Sequence, residues 1–371
     1  MTSQPHIGIV GAGLAGRTLA WRLLRAGCRV TLFDARPRDD LATASQTAAA
    51  MLSPLAELAV SDEVVFALGQ RSMQLWPRWI DELETAGAGR VYFRREGTLV
   101  VAHAPDQASL EHFTRLLQHK LPAASRAQIY TLDAAGVARH EPALAGRFGE
   151  GLFLDGEGQL ANDQLLASLA RAIDALGGQW YEGVAVERVE AHRVVCKDQS
   201  HAVDVAVDAR GVGSHAQWPA GNPLRGVRGE VLRVECAGVS LQRPVRLMHP
   251  RYQLYVAPRP DHQFVVGATE LESEDTGPVT VRSMLELGSA LHSLHPGFGE
   301  ARVLRMSAAL RPALDDHRPV VEARSGVWHI NGLYRHGYLC APALVDDLAR
   351  HILQPGHVPD AERAEAHEVH S

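Results

Sequence analysis

A glycine-rich turn near the start of the chain is the feature that most constrains its fold. Residues 11–16 follow the G-x-G-x-x-G pattern and lie between a short apolar run and a stretch with helical spacing at 14–26. Gly11 permits a tight turn, Gly13 lets the backbone approach a pyrophosphate, and Gly16 allows a helix to pack closely on a strand. The first N–H groups of that helix favour an anion. The pattern predicts a dinucleotide site that opens a parallel α/β sheet.

An acidic residue at the end of the next apolar run supports this prediction. Asp34 follows Gly11 by 23 residues, and its carboxylate can accept hydrogen bonds from the ribose of an adenosine. Two alternatives stay open at this point. The glycines could serve packing alone, and the pattern does not separate FAD from NAD.

Length and charge narrow the class of protein. The chain has 371 residues, which at about 100–200 residues per domain predicts two domains. Its 37 basic and 43 acidic residues give a net charge of −6, which argues against a nucleic-acid partner. The sequence contains no run of about 18 uncharged apolar residues, so no membrane span is predicted.

The cysteines and histidines predict neither a disulfide framework nor a metal site. The four cysteines lie far apart without a C-x-x-C pair, a usage that fits a reducing cytoplasm. His357, His367 and His370 could bind a metal, but residues 354–371 are polar and are expected to form an unstructured end. We therefore expect a cytoplasmic protein without a bound metal.

The spacing of apolar residues predicts the remaining elements. Helices are expected at about 62–86 (interrupted by Pro77), 107–120, 162–176 (capped by Asn162 and Asp163), 280–293 and 343–353. Strands are expected at about 6–10, 29–33, 183–189, 192–197, 203–209, 230–236, 244–248, 253–258, 263–269, 302–309 and 327–331. The short turns between the strands from 230 to 269 indicate an antiparallel sheet.

Five later segments carry a resemblance to one enzyme family. They read ASQTAAAMLSP (44–54), YVAPR (255–259), VVGAT (265–269), ALRP (309–312) and GLYRHGYLCAP (332–342). Together with the N-terminal turn, this ordered series resembles the glycine oxidase and D-amino-acid oxidase family of FAD-dependent amine oxidoreductases. The likeness is strongest to the glycine oxidase branch associated with thiamine synthesis, and it spans residues 6–353.

The resemblance implies FAD and a two-domain fold of class α/β plus α+β. A Rossmann-like FAD-binding domain with a central parallel sheet would take residues 1–86, 141–220 and 311–353. A substrate domain on a mixed, largely antiparallel sheet would take 87–140 and 221–310. The two domains are thus expected to interleave along the chain, with the active site where the chain crosses between them.

The resemblance also implies a cofactor site. The residues expected to bind FAD are Gly11, Ala12, Gly13, Leu14, Ala15, Gly16, Asp34, Ala35, Ser45, Ala49, Ala50, Met51, Val186, Gly211, Leu333, Tyr334, Arg335, His336, Gly337 and Tyr338. Sarcosine oxidase relatives hold the flavin covalently on a cysteine. Residues 305–325 contain no cysteine, so noncovalent FAD is expected.

Three residues are expected to form the catalytic site. Arg311 matches the arginine that holds the substrate carboxylate, Tyr255 matches a pocket tyrosine, and Arg335 matches an arginine beside the flavin. A guanidinium can bind a carboxylate with two charge-assisted hydrogen bonds, and a phenol adds a neutral donor. The structural alternatives are that Arg311 pairs with Asp315 or Asp316, and that Tyr255 and Arg335 are ordinary strand and turn residues.

The implied reaction is oxidative deamination of a small amino acid or secondary amine, such as glycine, sarcosine or a D-amino acid. Hydride moves to the flavin, water hydrolyses the imine, and oxygen reoxidises the flavin. The alternatives are a D-amino-acid dehydrogenase with another electron acceptor and a noncatalytic FAD-binding protein. Departures from the family pattern at Ala50, Glu322 and Leu333 prompt the second alternative, and His336 is a further departure. The expected partner is a small-molecule amine, and the oligomeric state stays open, a homo-oligomer included.

Overall fold

The computed structural model of the protein describes residues 4–249 and 253–354. The α-helices are α1 (Leu14–Arg25), α2 (Ala44–Thr47), α3 (Pro54–Leu58), α4 (Glu63–Thr85), α5 (Gln107–Lys120), α6 (Ala134–His140), α7 (Asn162–Ala175), α8 (Val281–Leu294) and α9 (Gly337–Leu353). The strands are β1 (His6–Val10), β2 (Arg29–Asp34), β3 (Met51–Leu52), β4 (Phe93–Arg94), β5 (Thr98–Ala102), β6 (Ile129–Asp133), β7 (Glu150–Leu154), β8 (Gly158–Leu160), β9 (Gln179–Glu182), β10 (Val186–Glu190), β11 (Arg193–Cys196), β12 (Ser200–Ala202), β13 (Val205–Asp208), β14 (Arg225–Glu235), β15 (Val245–Met248), β16 (Gln253–Pro258), β17 (Gln263–Gly267), β18 (Arg302–Ala313), β19 (Val320–Arg324) and β20 (Val327–Asn331). The predicted tail, with its three histidines, lies outside the described residues apart from Gln354.

The first large sheet contains the glycine-rich turn between β1 and α1. Its strand order is β19-β20-β13-β1-β2-β9, and every neighbouring pair is parallel except β19 and β20. Strands β1 and β2 are short, continuous and almost fully buried, which is typical of a parallel sheet covered on both faces. This sheet is the predicted central parallel sheet.

Two different layers cover the faces of this sheet. On one face, α1, α4, α7 and α9 share a hydrophobic core with the strands. Trp21, Trp76 and Trp79 are fully buried in that core, with edge-to-face ring contacts at centroid distances of 5.9 and 6.1 Å. On the other face, the antiparallel sheet β10-β11-β12 packs through Val194 and Cys196. The chain therefore forms a three-layered unit around the dinucleotide turn.

The second large sheet has eight strands in the order β18-β14-β17-β16-β15-β5-β7-β6. All neighbouring pairs are antiparallel except β15 and β5, which are parallel. Helices α6 and α8 pack in the core on one face, and α3 and α5 pack in the core on the other. The predicted fold class is thus confirmed, because a Rossmann-like unit is joined to a mixed, largely antiparallel sheet. Within the described residues, no helix has the length and apolar character needed to cross a membrane.

Several predicted elements differ in the structure. Helix α4 continues through Pro77, because the loss of one helical hydrogen bond is offset by burial of the flanking tryptophans. Helix α9 starts at Gly337 rather than at 343. The predicted cap of α7 is wrong, since Asn162 is the first helical residue and its side-chain amide donates to the carbonyls of Ser45 and Gln46 instead. Strands β3 to β9, β12 and β19 were not predicted, and neither were helices α2, α3 and α6.

The predicted domain boundaries assign two parts of the second sheet to the FAD-binding domain. Strand β7 lies within the segment 141–220 assigned to the FAD-binding domain, yet it pairs with β5 and β6. Strand β18 continues past residue 311 and stays paired with β14 up to Ala313. Strand β7 and the end of β18 therefore belong to the second sheet. The interleaving of two domains along the chain stays a prediction.

Candidate active site

A cavity of about 1140 Å³ is lined by residues of both large sheets. The glycine-rich turn and Asp34 form one part of its wall, and Tyr255 and Arg311 form another. Pockets for drug-sized ligands span about 300–1,000 Å³, so this cavity has room for a dinucleotide together with a small substrate.

The glycine-rich turn has the backbone geometry that its sequence predicts. Gly11 has a φ of +101°, and a Cβ at this position would lie 2.8 Å from the backbone nitrogen of Arg210 and closer still to the carbonyl of Ala209. A Cβ at Gly16 would overlap the carbonyl oxygen of Gly11. Only glycine fits these positions without backbone movement. The first turn of α1 carries no acidic side chain, so its positive end stays available to an anion.

Asp34 and Ser45 fix the loops around this turn. The carboxylate of Asp34 accepts the Ala12 N–H at 2.6 Å and the Arg36 N–H at 2.9 Å. Ser45 Oγ accepts the Leu14 N–H at 2.9 Å, and its carbonyl accepts the Tyr338 hydroxyl at 2.9 Å. These bonds hold the turn, the segment after β2 and the start of α9 in one arrangement.

The segment 49–51 is held by a buried arginine. Arg259 donates to the carbonyl of Ala49 and, at 2.5 Å, to Gln159 Oε1. Burial lowers the pKa of Arg259 to about 10, and the nearby Arg233 adds to that shift. Ala50 has a φ of +49°, a left-handed conformation that glycine adopts more easily. The departure from glycine at this position is therefore accommodated with backbone strain.

Most residues predicted to bind FAD line the cavity. Those that line it are Gly11, Gly13, Leu14, Ala15, Asp34, Ala35, Ser45, Ala49, Ala50, Met51, Val186, Gly211, Leu333, Tyr334, Arg335, His336, Gly337 and Tyr338. Ala12 and Gly16 do not line it. Glu322, one of the departures from the family pattern, does not line the cavity either. Its carboxylate pairs with Arg324 at 3.1 Å instead.

Arg311 lies across the neighbouring strand β14, where Gly229 makes room for it. Its Nη2 donates to the carbonyl of Thr269 at 3.1 Å. Its Nη1 is buried and has no hydrogen-bond partner among the described residues. The alternative in which Arg311 pairs with Asp315 or Asp316 is not seen, because Asp315 contacts Arg225 instead. A buried cationic donor that faces a cavity and lacks a partner is suited to an anionic ligand.

Tyr255 stands beside this guanidinium on strand β16. It pairs across the sheet with Arg246 on β15 and with Gly267 on β17. A Cβ at Gly267 would lie 2.7 Å from the phenol oxygen, so this glycine leaves room for the ring. Burial raises the pKa of Tyr255, although Arg311 and Arg246 act in the opposite direction. The phenol therefore stays a neutral hydrogen-bond donor near neutral pH.

Arg335 belongs to a chain of alternating charges. Glu57 Oε1 accepts from Arg246 Nη2 at 2.9 Å, and Glu57 Oε2 lies 3.1 Å from Arg335 Nε. Arg335 Nη1 in turn donates to Glu270 Oε2 at 3.1 Å. Burial alone would raise the pKa of Glu57, but Arg335 and Arg246 lower it to about 2. Both glutamates are therefore ionised near neutral pH, and Arg335 is engaged by two carboxylates.

The sequence did not predict the partners of the expected residues. Glu57, Arg246 and Glu270 were missed, as were the supporting contacts of Arg259 and Asn162. One signal was present for Arg246, which interrupts the apolar run of a predicted strand. An unexplained charge among buried strand residues marks a buried pair or a ligand contact.

His336 gives a testable pH dependence. Burial lowers its pKa from 6.5 to about 4, although Glu57 acts in the opposite direction. Because the unfolded chain then binds more protons between pH 6.5 and 4, the free energy of unfolding should fall as the pH falls through this window. At pH 4, the free energy of unfolding of His336→Asn should have fallen by about 3 kcal/mol less than that of the unsubstituted protein. The pKa of His329 is also lowered to about 4, so the variant should keep a smaller slope.

Urea unfolding of both proteins at several pH values between 6.5 and 4 tests this role. Curves of unfolding free energy against pH that run parallel for the two proteins would contradict it.

The donor set of the cavity fits FAD on the geometry of these residues. Gly11 and Gly13 bring bare backbone to the wall, and the adjoining N–H groups of α1 suit a diphosphate. Asp34 offers a fixed carboxylate for a ribose, while Ala49, Ala50, Met51 and Leu333 provide apolar surface for a flat ring. None of the four cysteines, which are free and buried, lines the cavity.

Comparisons with known proteins agree with this geometry. A thiamine biosynthesis oxidoreductase of Rhizobium etli is 41% identical over 350 residues, which are 94% of this chain and 97% of that protein. The solved glycine oxidase of Bacillus cereus superposes with a TM-score of 0.83 at 21% identity, covering 95% of this chain and 96% of that one. The iminodiacetate oxidase of Chelativorans sp. BNC1 gives a TM-score of 0.81 at 23% identity, covering 95% and 97% of the two chains.

The family model for FAD-dependent oxidoreductases, named DAO, matches residues 6–350. With the sequence relative, it confirms the predicted resemblance, FAD as the cofactor and the class of FAD-dependent oxidoreductase. The two solved structures confirm the fold. The chain therefore belongs to the DAO family of FAD-dependent oxidoreductases.

Proposed function

We propose that this protein oxidises a small amine that carries a carboxylate, such as glycine, sarcosine or a D-amino acid. Oxygen then reoxidises the reduced flavin. One observation carries the proposal. Arg311, with its unpartnered buried N–H, shares a cavity with the dinucleotide turn. An anion site and a redox cofactor in one cavity place a carboxylated substrate within reach of the flavin.

Arg311 binds the substrate carboxylate in this proposal. Its free Nη1 donates to one carboxylate oxygen, while the bond from Nη2 to Thr269 keeps the guanidinium in place. Because the surroundings are buried, the charge-assisted bonds are stronger than they would be in water. The carbon that bears the amine is thereby held at a fixed distance from Arg311.

Tyr255 provides a second, neutral contact. Its phenol lies near the same guanidinium and can donate to the carboxylate. Two donors from neighbouring strands define an orientation as well as a position. No side chain is required as a base, because the substrate can bind with its amine neutral.

The cofactor is held noncovalently by the residues that line the rest of the cavity. FAD, when bound, supplies the acceptor for the hydride from the carbon that bears the amine. The glycine-rich turn and Asp34 would hold its adenosine diphosphate, and residues 49–51 and 333–338 would exclude water from its ring. The product imine hydrolyses with one water molecule to a carbonyl compound and an amine or ammonia.

The predicted compartment is part of the proposal. All four cysteines are free and buried, which supports a reducing cytoplasm. A fractionation of cells that express the protein would test this directly.

Anaerobic spectroscopy of the purified, FAD-loaded protein tests the proposed reaction. Glycine, sarcosine and D-alanine are mixed with the protein, and the flavin absorbance is followed before and after oxygen is admitted. We expect bleaching by at least one carboxylated amine, followed by recovery with one hydrogen peroxide per turnover.

The other outcomes identify the alternatives. Bleaching without peroxide formation would point to a dehydrogenase with another electron acceptor. Tight FAD that no amine reduces would point to a noncatalytic flavoprotein, and a protein that takes up no FAD would refute the proposal.

Gly229→Ala should impair substrate binding while leaving the fold intact. The added Cβ would lie 2.8 Å from Arg311 Nε and closer still to Cζ and Nη2. The flexible end of Arg311 can move away, so stability should change by no more than about 1 kcal/mol. The displaced guanidinium should lower kcat/KM for a carboxylated amine about tenfold to a hundredfold.

A double-mutant cycle provides the control for Gly229. In a background with Arg311→Ala, the added methyl group has nothing left to displace, so Gly229→Ala should cause little further loss of activity. Fully additive effects of the two substitutions would show that Gly229 does not act through Arg311.

A further inference from the structure

Five of the charged side chains that line the cavity bear on the proposed substrate site. Arg246, Arg311 and Arg335 contribute three positive charges, and Glu57 and Glu270 contribute two negative charges. The glutamates engage Arg246 and Arg335 at 2.9–3.1 Å, so among these lining residues Arg311 is left without a carboxylate. Of these five groups, Arg311 is therefore the cation that is left for an anionic ligand.

The two glutamates differ in how firmly they are held. Glu57 bridges two arginines and its side chain is only 13% exposed. Glu270 contacts only Arg335 of the three arginines, and its side chain is 48% exposed. Burial acts to raise the pKa of Glu270, but Arg335, a hydrogen bond with Tyr334 and the charge of Arg311 together lower it. Of the two glutamates, Glu270 is therefore the one at the more open side of the site. Its negative charge can repel an anionic group of a ligand that is bound to Arg311.

We propose that Glu270 is a specificity-determining residue, which occupies Arg335 and so prevents the site from accepting a second substrate carboxylate. This inference rests on the proposed function and adds to it the number of anionic groups that a substrate carries. A second carboxylate near Arg335 would face Glu270, and like charges in a partly desolvated site repel. Amines with one carboxylate meet no such repulsion.

Glu270→Gln should turn Arg335 into a second anion site. The amide keeps the shape of the side chain but removes its charge, so Nη1 of Arg335 loses its ionic partner while Glu57 still holds Nε. The site would then present two cations, Arg311 and Arg335. A ligand with two carboxylates could engage both of them.

Binding of unreactive carboxylates to the FAD-loaded protein tests this role. Isothermal titration with acetate and malonate gives the ratio of their dissociation constants. In the unsubstituted protein, malonate should bind no more tightly than acetate. In Glu270→Gln, the preference should shift toward malonate by at least tenfold, and the ratio of kcat/KM for iminodiacetate to that for sarcosine should rise by a similar factor.

Glu272→Gln is the matched control. It removes one negative charge from the same loop, but Glu272 is exposed, pairs with Arg225 and does not line the cavity. The ratio for acetate and malonate should stay unchanged in this variant.

A shift of less than tenfold in Glu270→Gln overturns the proposal, and so does an equal shift in Glu272→Gln. The proposal can also fail without any variant, if the unsubstituted protein binds malonate at least tenfold more tightly than acetate. Flavin reduction by glycine, sarcosine or D-alanine tests the proposed function separately. If one of these amines reduces the flavin but Glu270→Gln does not change the selectivity, only the role assigned to Glu270 is refuted.

Discussion

Replacing Arg311 by alanine is expected to lower kcat/KM for a carboxylated amine by about a hundredfold to a thousandfold, while FAD stays bound. The side chain supplies a buried cation with one N–H free for the substrate. A hydrogen bond to a charged group contributes about 1.5–3 kcal/mol, and loss of the positive charge that faces the carboxylate adds to this, so an effect of this size is expected. Steady-state kinetics and the flavin spectrum of the same preparation give both readouts.

The division of the effect between kcat and KM shows what Arg311 does. A residue that only binds the substrate raises KM with kcat unchanged, whereas one that also orients the reacting carbon lowers kcat. Because Arg311 is fixed by Thr269, we expect both changes.

Arg302→Ala is the matched control for this prediction. Arg302 lies at the exposed start of the same strand β18 and does not line the cavity. Its substitution should leave kcat/KM within about twofold of the original value, as for most surface changes. Turnover of carboxylated amines that survives Arg311→Ala at full rate would show that the carboxylate is bound elsewhere.

Gly11→Ala should weaken FAD binding by at least about a hundredfold, which corresponds to roughly 3 kcal/mol. The new Cβ would lie against the backbone of Ala209 and Arg210, and the φ of +101° is unfavourable for alanine. Backbone atoms cannot move away as a flexible side chain can. The turn would have to open, and the N–H groups that suit a diphosphate would lose their alignment. Titration of the apoprotein with FAD measures the change.

Gly27→Ala is the control for Gly11→Ala. It separates the loss of FAD affinity from the loss of stability that a positive φ causes in alanine. Gly27 follows α1 and has a φ of +88°, but the nearest atom to an added Cβ is 3.6 Å away. This variant should lose about 1 kcal/mol of stability and keep its affinity for FAD. Equal FAD affinity in Gly11→Ala and in the unsubstituted protein would place the cofactor away from this turn.

The cofactor end of the site could be predicted because its signals are local. The turn at 11–16, the helix after it and Asp34 are close in sequence, and each has a steric or electrostatic reason to be there. The structure places β1, α1 and β2 within one residue of the predicted bounds. Local backbone requirements of this kind do not depend on distant parts of the chain.

The charge network could not be predicted because its members are distant in sequence. Glu57 and Arg246 are 189 residues apart, and each is an ordinary charged residue in its own segment. Their pairing follows from the way α3 packs against the second sheet, which no local pattern records. The resemblance identified Arg335 but gave no sign that two glutamates occupy it.

The missed strands have a different cause. Strand β5 is a run of five buried residues, and so short an apolar run has the periodicity of neither a helix nor a half-exposed strand. Strand β7 pairs with β5, and β6 pairs with β7 on its other side. Because β6 and β7 enclose α6 along the chain, pairing in the sheet rather than local preference defines them.

Reduction of bound FAD by sarcosine compared with dimethylamine tests the central claim most directly. The two amines differ by the carboxylate that Arg311 is proposed to bind. Under anaerobic conditions, sarcosine should bleach the flavin band at concentrations where dimethylamine leaves it unchanged. Equal rates of reduction by the two amines, or a protein that binds no FAD, would contradict the assignment of this cavity to a carboxylated amine and its flavin.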